Sequence, residues 1–125
     1  MNIYAQNILD HYKTPRNFGS ISGAQIKHSE ANYSCGDKLS VDIKLEADVV
    51  SDIKFKGTGC AISQAAMSIL TEDVMGKTKK YILNLKFDYL QKLLGVPVSE
   101  SRYKCAVLGL MTIQNALKMK GNKKN

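Results

Sequence analysis

The residues of this chain best suited to chemistry are three cysteines and one aspartate: Cys35, Asp37, Cys60 and Cys105. A thiolate is the ligand that soft and borderline metal ions prefer. It is also the nucleophile that attacks a sulfur–sulfur bond, so one set of cysteines can hold a metal or receive sulfur. Asp37 adds a harder oxygen ligand and would complete a tetrahedral site with the three sulfurs. Such a mixed site exchanges its ion more readily than four cysteines do, which suits a protein that passes its cargo on. A purely structural zinc site is usually closed by cysteine and histidine alone. The competing reading is plainer. No C-x-x-C pair is present, an isolated buried cysteine is more often an inert small hydrophobe than a ligand, and Asp37 could equally cap a turn. Spacing alone favours that plainer reading. His11 and His28 lie near no cysteine in sequence and read as surface or packing residues. An odd number of widely spaced cysteines does not indicate a disulfide framework.

The fold must bring the four residues together. Leu39, Val41, Ile43 and Leu45 alternate with Ser40, Asp42, Lys44 and Glu46, as a half-buried strand requires. Beyond a turn at Ala47-Asp48, Val49, Ile53 and Phe55 alternate with Asp52, Lys54 and Lys56, predicting the second strand of an antiparallel hairpin. A turn centred there makes residues whose numbers sum to 95 face each other, to within a residue or so. Cys35 and Cys60 meet that condition, so both fall just beyond the same end of the hairpin with Asp37 beside them. The glycines in Cys35-Gly36-Asp37 and Gly57-Thr58-Gly59-Cys60 permit close backbone approach. Cys60 and Cys105 each fall near the start of a predicted helix, where the positive dipole end favours an anionic sulfur, and Arg102 and Lys104 add positive charge beside Cys105.

The remaining elements follow from periodicity. Ile3, Tyr4, Ile8, Leu9 and Tyr12 form one face of a helix ending before Thr14-Pro15. Residues 16–23 read as a loop and 24–32 as a weak strand. Ile62, Ala66, Ile69, Leu70 and Val74 mark a helix over 60–75 that stops at Gly76. Residues 81–94 are helical, broken near Asn84, and a last helix runs from about Arg102 to Lys118, apolar over much of its circumference. Met67, Met75 and Met111 read as core filling. Strands followed by helices predict one α+β domain over 1–125, with 119–125 as a lysine-rich flexible tail. The N-terminus has no leader pattern and no run of about 20 apolar residues is present, so a cytoplasmic location without membrane insertion is expected. The net charge of +7 comes almost wholly from scattered lysines, which disfavours nucleic acid and leaves an acidic partner protein open.

With these residues in place, the chain resembles the NifU N-terminal family, which includes the IscU and SufU proteins, over nearly its whole length. Asp10-His11-Tyr12-Lys13-Thr14-Pro15-Arg16-Asn17 is similar to the family's opening signature. Cys35-Gly36-Asp37 is similar to its first metal motif, Gly57-Thr58-Gly59-Cys60-Ala61-Ile62-Ser63-Gln64-Ala65 to its second, and Arg102-Tyr103-Lys104-Cys105-Ala106 to its third. The resemblance implies a SufE/NifU-like, IscU-type fold, a small three-stranded antiparallel sheet with helices packed on one side. It further implies a metal or cluster site formed by Cys35, Asp37, Cys60 and Cys105, a pyridoxal-phosphate cysteine desulfurase as sulfur donor, and apo-proteins as cluster acceptors. The chain departs from the IscU pattern in two places: Lys104 stands where a histidine usually precedes the third cysteine, and Gly95-Val96-Pro97-Val98-Ser99 replaces a Leu-Pro-Pro-Val-Lys segment. The second departure argues against a dedicated Hsp70-type chaperone. SufU proteins share the Arg-x-Lys-Cys motif but carry an insertion between the second and third cysteines, for which the 44 intervening residues leave no room.

Three functions remain open on the sequence. The first is a scaffold that binds iron, accepts sulfur, and builds and transfers a transient [2Fe-2S] cluster. The second is a sulfurtransferase with Zn2+ at the same site and Cys35 as persulfide acceptor. The third, ranked below both, is a zinc-stabilised module that binds nucleic acid.

Overall fold

The computed structural model describes residues 3–34 and 36–124. Helix α1 (Ile3–Lys13) precedes three strands, β1 (Ile26–Asn32), β2 (Asp37–Glu46) and β3 (Val49–Thr58). Four helices follow: α2 (Ala61–Val74), α3 (Lys79–Leu83), α4 (Phe87–Leu94) and α5 (Glu100–Lys124). The strands form one antiparallel sheet in the order β1-β2-β3. This is the predicted α+β arrangement, with α2 and α5 packed on one face of the sheet.

The β2–β3 turn has Ala47 and Asp48 both at positive φ, 53° and 63°, the backbone of a type I′ turn whose twist matches that of the flanking strands. A register shift between Lys44 and Leu45 places an extra residue in β3. Beyond it, Ile43 faces Ile53 and Lys38 faces Thr58, so facing numbers sum to 96 rather than the expected 95. A hydrophobic pattern cannot reveal one inserted residue that lies near the turn. The end of the hairpin where Asp37 and Cys60 sit is unchanged by the correction.

Leu39, Val41 and Ile43 of β2 and Ile53 and Phe55 of β3 are fully buried and meet Met67, Leu70 and Val74 of α2 and Ala106, Ile113 and Leu117 of α5. Each large side chain so buried contributes about 1.5–3 kcal/mol relative to exposure. The opposite face carries Lys27, Lys38, Lys44, Lys54 and Lys56. The edge of β3 is closed by the segment after α1: Phe55 N–H donates to Asn17 O at 2.9 Å and Gly19 N–H to Phe55 O at 2.8 Å. In α5, Gln114 donates to the carbonyls of Ile82 and Leu85 at 3.0 and 2.9 Å, tying that helix to the connection between α3 and α4.

Four readings of the sequence need correction. In α1, Leu9 and Tyr12 are each 41% exposed, and among the described side chains the buried ones are Ile8 and His11. Met111 is 44% exposed, whereas Met67 is buried and Met75 packs against the core. The last helix begins at Glu100 rather than Arg102, and it continues through Lys118 to Lys124.

Candidate metal centre

Asp37 is the first residue of β2 and is almost wholly buried. Its Oδ1 accepts the Cys60 backbone N–H at 2.8 Å, while Oδ2 lies 3.7 Å from Cys60 Sγ. Cys60 is the N-cap of α2, with extended backbone angles, and is half-buried. Gly59 makes this junction possible. Its φ is +131°, and a Cβ on it would fall onto the Asp37 carboxylate and come within 2.8 Å of Asp37 Cα. The carboxylate therefore occupies the space that any side chain at position 59 would need.

Cys105 comes from another part of the chain and is buried. It sits in the second turn of α5, further inside the helix than the sequence suggested, so the argument from the positive helix end applies to Cys60 and not to Cys105. Arg102 and Lys104 are exposed and do not share its buried setting. What brings Cys105 to the site is Gly109, one helical turn further on. A Cβ there would stand 3.2–3.3 Å from Sδ, Cα and Cβ of Met67, so the absence of a side chain lets α5 approach α2 closely.

One ligand atom from each of Asp37, Cys60 and Cys105 lies within 4.8 Å of the other two. A tetrahedral ion with metal–sulfur bonds of about 2.3 Å and a metal–oxygen bond of about 2.0 Å requires ligand atoms roughly 3.5–3.8 Å apart. The Asp37–Cys60 separation already meets that requirement, and the donor set suits a soft or borderline ion. Cys35, the remaining residue of the expected set, lies outside the described residues. His11 and His28 take no part: His11 contacts Ser68 on α2, and His28 contacts Glu30 on its own strand.

Two further residues shape the site that spacing did not single out. Gly109 is one, legible only as a glycine inside an otherwise apolar helix. Ser63 is the other: fully buried, it donates to Cys60 O at 3.0 Å and stands 3.8 Å from Cys60 Sγ. Its signal in the sequence is its place three residues after a helix-capping cysteine.

The family model described as the NifU-like N terminal domain matches residues 3–125. The chain is 39% identical to the iron-sulfur cluster assembly scaffold protein IscU of Aquifex aeolicus over 118 residues, covering 92% of this chain and 74% of that one. It is 32% identical to the zinc-dependent sulfurtransferase SufU of Bacillus subtilis over 132 residues, covering 92% and 89%. The crystal structure of FiSufU from the thermophile Fervidobacterium islandicum superposes with a TM-score of 0.78 at 29% identity, covering 92% of this chain and 96% of that one.

Proposed function

Since the chain belongs to the NifU-like N-terminal domain family, we propose that it is an iron–sulfur cluster assembly scaffold. It takes sulfur from a cysteine desulfurase, builds a [2Fe-2S] cluster on Cys35, Asp37, Cys60 and Cys105, and passes the cluster to apo-proteins in the cytoplasm. The observation that carries this reading is the convergence of Asp37, Cys60 and Cys105 at one end of the sheet. These residues come from a strand start, a helix cap and a second helix, and a core without a task for them would have little reason to gather buried acid and sulfur together.

The chemistry follows from the donor set. In the transfer step, a cysteine thiolate of this chain attacks the outer sulfur of the desulfurase persulfide. A new sulfur–sulfur bond forms, the old one breaks, and the donor cysteine leaves as a thiolate. Cys35 is our choice of acceptor. Asp37 holds its Oδ1 on the Cys60 N–H, leaving Oδ2 to face the cargo, so one ligand is a hard oxygen among soft sulfurs and is the first to let go.

A second reading, a zinc-dependent sulfurtransferase, is favoured by the Bacillus relative and by the Arg-x-Lys-Cys motif at Arg102–Cys105. Alignment length does not separate the two readings: the match to the Bacillus sulfurtransferase runs to 132 residues, as does that to the Thermotoga maritima protein named as an IscU scaffold, against 118 for the Aquifex scaffold.

Anaerobic reconstitution with ferrous iron, cysteine, a desulfurase and dithiothreitol as reductant decides between the two. The scaffold reading expects visible sulfur-to-iron charge-transfer absorption that is lost in Cys35→Ala and Cys105→Ala, and a colourless product refutes it. Stoichiometric zinc in protein purified without air, with stimulated desulfurase turnover and no colour, establishes the second reading instead.

A further inference from the structure

Taking the proposed site as its premise, we infer that Ser63 tunes the centre by donating a hydrogen bond to the Cys60 sulfur when that sulfur holds metal.

Ser63 is the third residue of α2 and its side chain is fully buried. At this position of a helix a polar side chain usually reaches back to the N–H of the capping residue. Here Asp37 Oδ1 already accepts that N–H, at 2.8 Å. Ser63 turns instead to two other atoms of Cys60, its carbonyl oxygen at 3.0 Å and its Sγ at 3.8 Å. The carbonyl does not depend on the serine, because it also accepts the Gln64 N–H at 3.3 Å. A rotation about one Cβ–Oγ bond is enough to redirect the hydroxyl hydrogen.

Counting hydrogens shows when the redirection occurs. Cys60 Sγ has two oxygens near it, Asp37 Oδ2 at 3.7 Å and Ser63 Oγ at 3.8 Å. A sulfur that holds metal carries no hydrogen and is purely an acceptor. Asp37 as a carboxylate has no hydrogen to offer, whereas Ser63 has one. Buried and shielded from water, its hydroxyl is the group that can supply the bond. A hydrogen bond to a ligand sulfur withdraws electron density from it, which weakens the metal–sulfur bond and raises the potential of an iron centre. Both effects favour release over permanent storage. Ser63 is thus a positioning residue that acts through Cys60 and touches no cargo itself.

Cobalt(II) is the probe for the test, loaded into the wild type, Ser63→Ala and Ser63→Thr. The alanine variant is expected to shift the sulfur-to-cobalt charge-transfer band to longer wavelength and to slow removal of cobalt by EDTA on the order of tenfold. Threonine, which keeps the hydroxyl, restores both. A folded Ser63→Ala protein with an unchanged band and unchanged release overturns the inference. A wild type that shows no charge-transfer band at all overturns the site itself. Should the alanine variant not fold, resonance Raman spectra of the wild type decide: a cobalt–sulfur stretch that moves on exchange into D2O supports the hydrogen bond, and one that does not move refutes it.

Discussion

Helix α2 carries buried polar groups in two places, and they are organised in opposite ways. Around Ser68, every partner is engaged. His11 Nδ1 and the Arg16 backbone N–H both meet Ser68 Oγ at 2.8 Å, Thr71 Oγ1 donates to Ser68 O at 2.7 Å, and Asn17 Nδ2 donates to Thr71 Oγ1 at 3.1 Å. Ser68 Oγ accepts the Arg16 N–H and keeps a second lone pair and a hydrogen, so it pairs with His11 Nδ1 in either role. This saturated network docks α1 and the segment after it onto α2. Around Cys60, by contrast, a carboxylate oxygen and two sulfurs are held within 4.8 Å with contacts of 3.7–3.8 Å. Polar groups that are fully paired fasten the fold, while Asp37 Oδ2 and Cys60 Sγ, 3.7 Å apart, stand at the separation that a shared ion requires.

Substitutions can separate the two regions. The largest effect is expected from Gly59→Ala, which forces a Cβ onto Asp37: a loss on the order of 3 kcal/mol in a denaturant melt, with metal binding abolished. Retained metal affinity in that variant would break the account of the junction. Next, Ser68→Ala should cost about 1–3 kcal/mol by removing the partner of the Arg16 N–H and of His11 Nδ1, yet cobalt affinity should stay at the wild-type level. A fall in affinity would show that the two regions are coupled.

A smaller effect is expected from pH. Burial, assisted by Arg16, holds the His11 pKa below its ordinary 6.5 against the opposing pull of Glu72 and Asp10. The unfolded chain therefore takes up this proton first as pH falls. The contribution of His11 is fully present above about pH 6.5 and is lost as pH drops from there through the lowered folded value. His11→Gln should flatten that part of the stability profile, measured by thermal melts between pH 7.5 and 5 in metal-free protein. The smallest effect belongs to Lys27→Ala on the outer face of the sheet. It removes the 3.0 Å pair with Asp42 at a cost below about 1 kcal/mol and should alter neither the pH profile nor metal binding.

The same contrast accounts for what was legible in the sequence. Strands β2 and β3 announce themselves by alternation because one face meets the core and the other water, and the hairpin they form brings Asp37 to Cys60. The buried face of α1 was misread because residue type was taken for burial. His11 is inside only because Ser68, 57 positions away, gives it a partner, and no local pattern contains that fact. Met111 was misread for a related reason: a helix apolar around most of its circumference does not say which side stays open. Cys105 could be attached to the other ligands through its motif but not through periodicity, since its approach depends on a missing side chain at Gly109.

That missing side chain turns the spacing of two helices into a caliper. Cys60 begins α2 and Cys105 rides on α5, and no shared loop joins them near the site, so the gap between their sulfurs is only as constant as the seam at Met67 and Gly109. A partner that pries this seam apart by an ångström would stretch every bond spanning it at once, making the surrender of cargo a mechanical event as much as a chemical one.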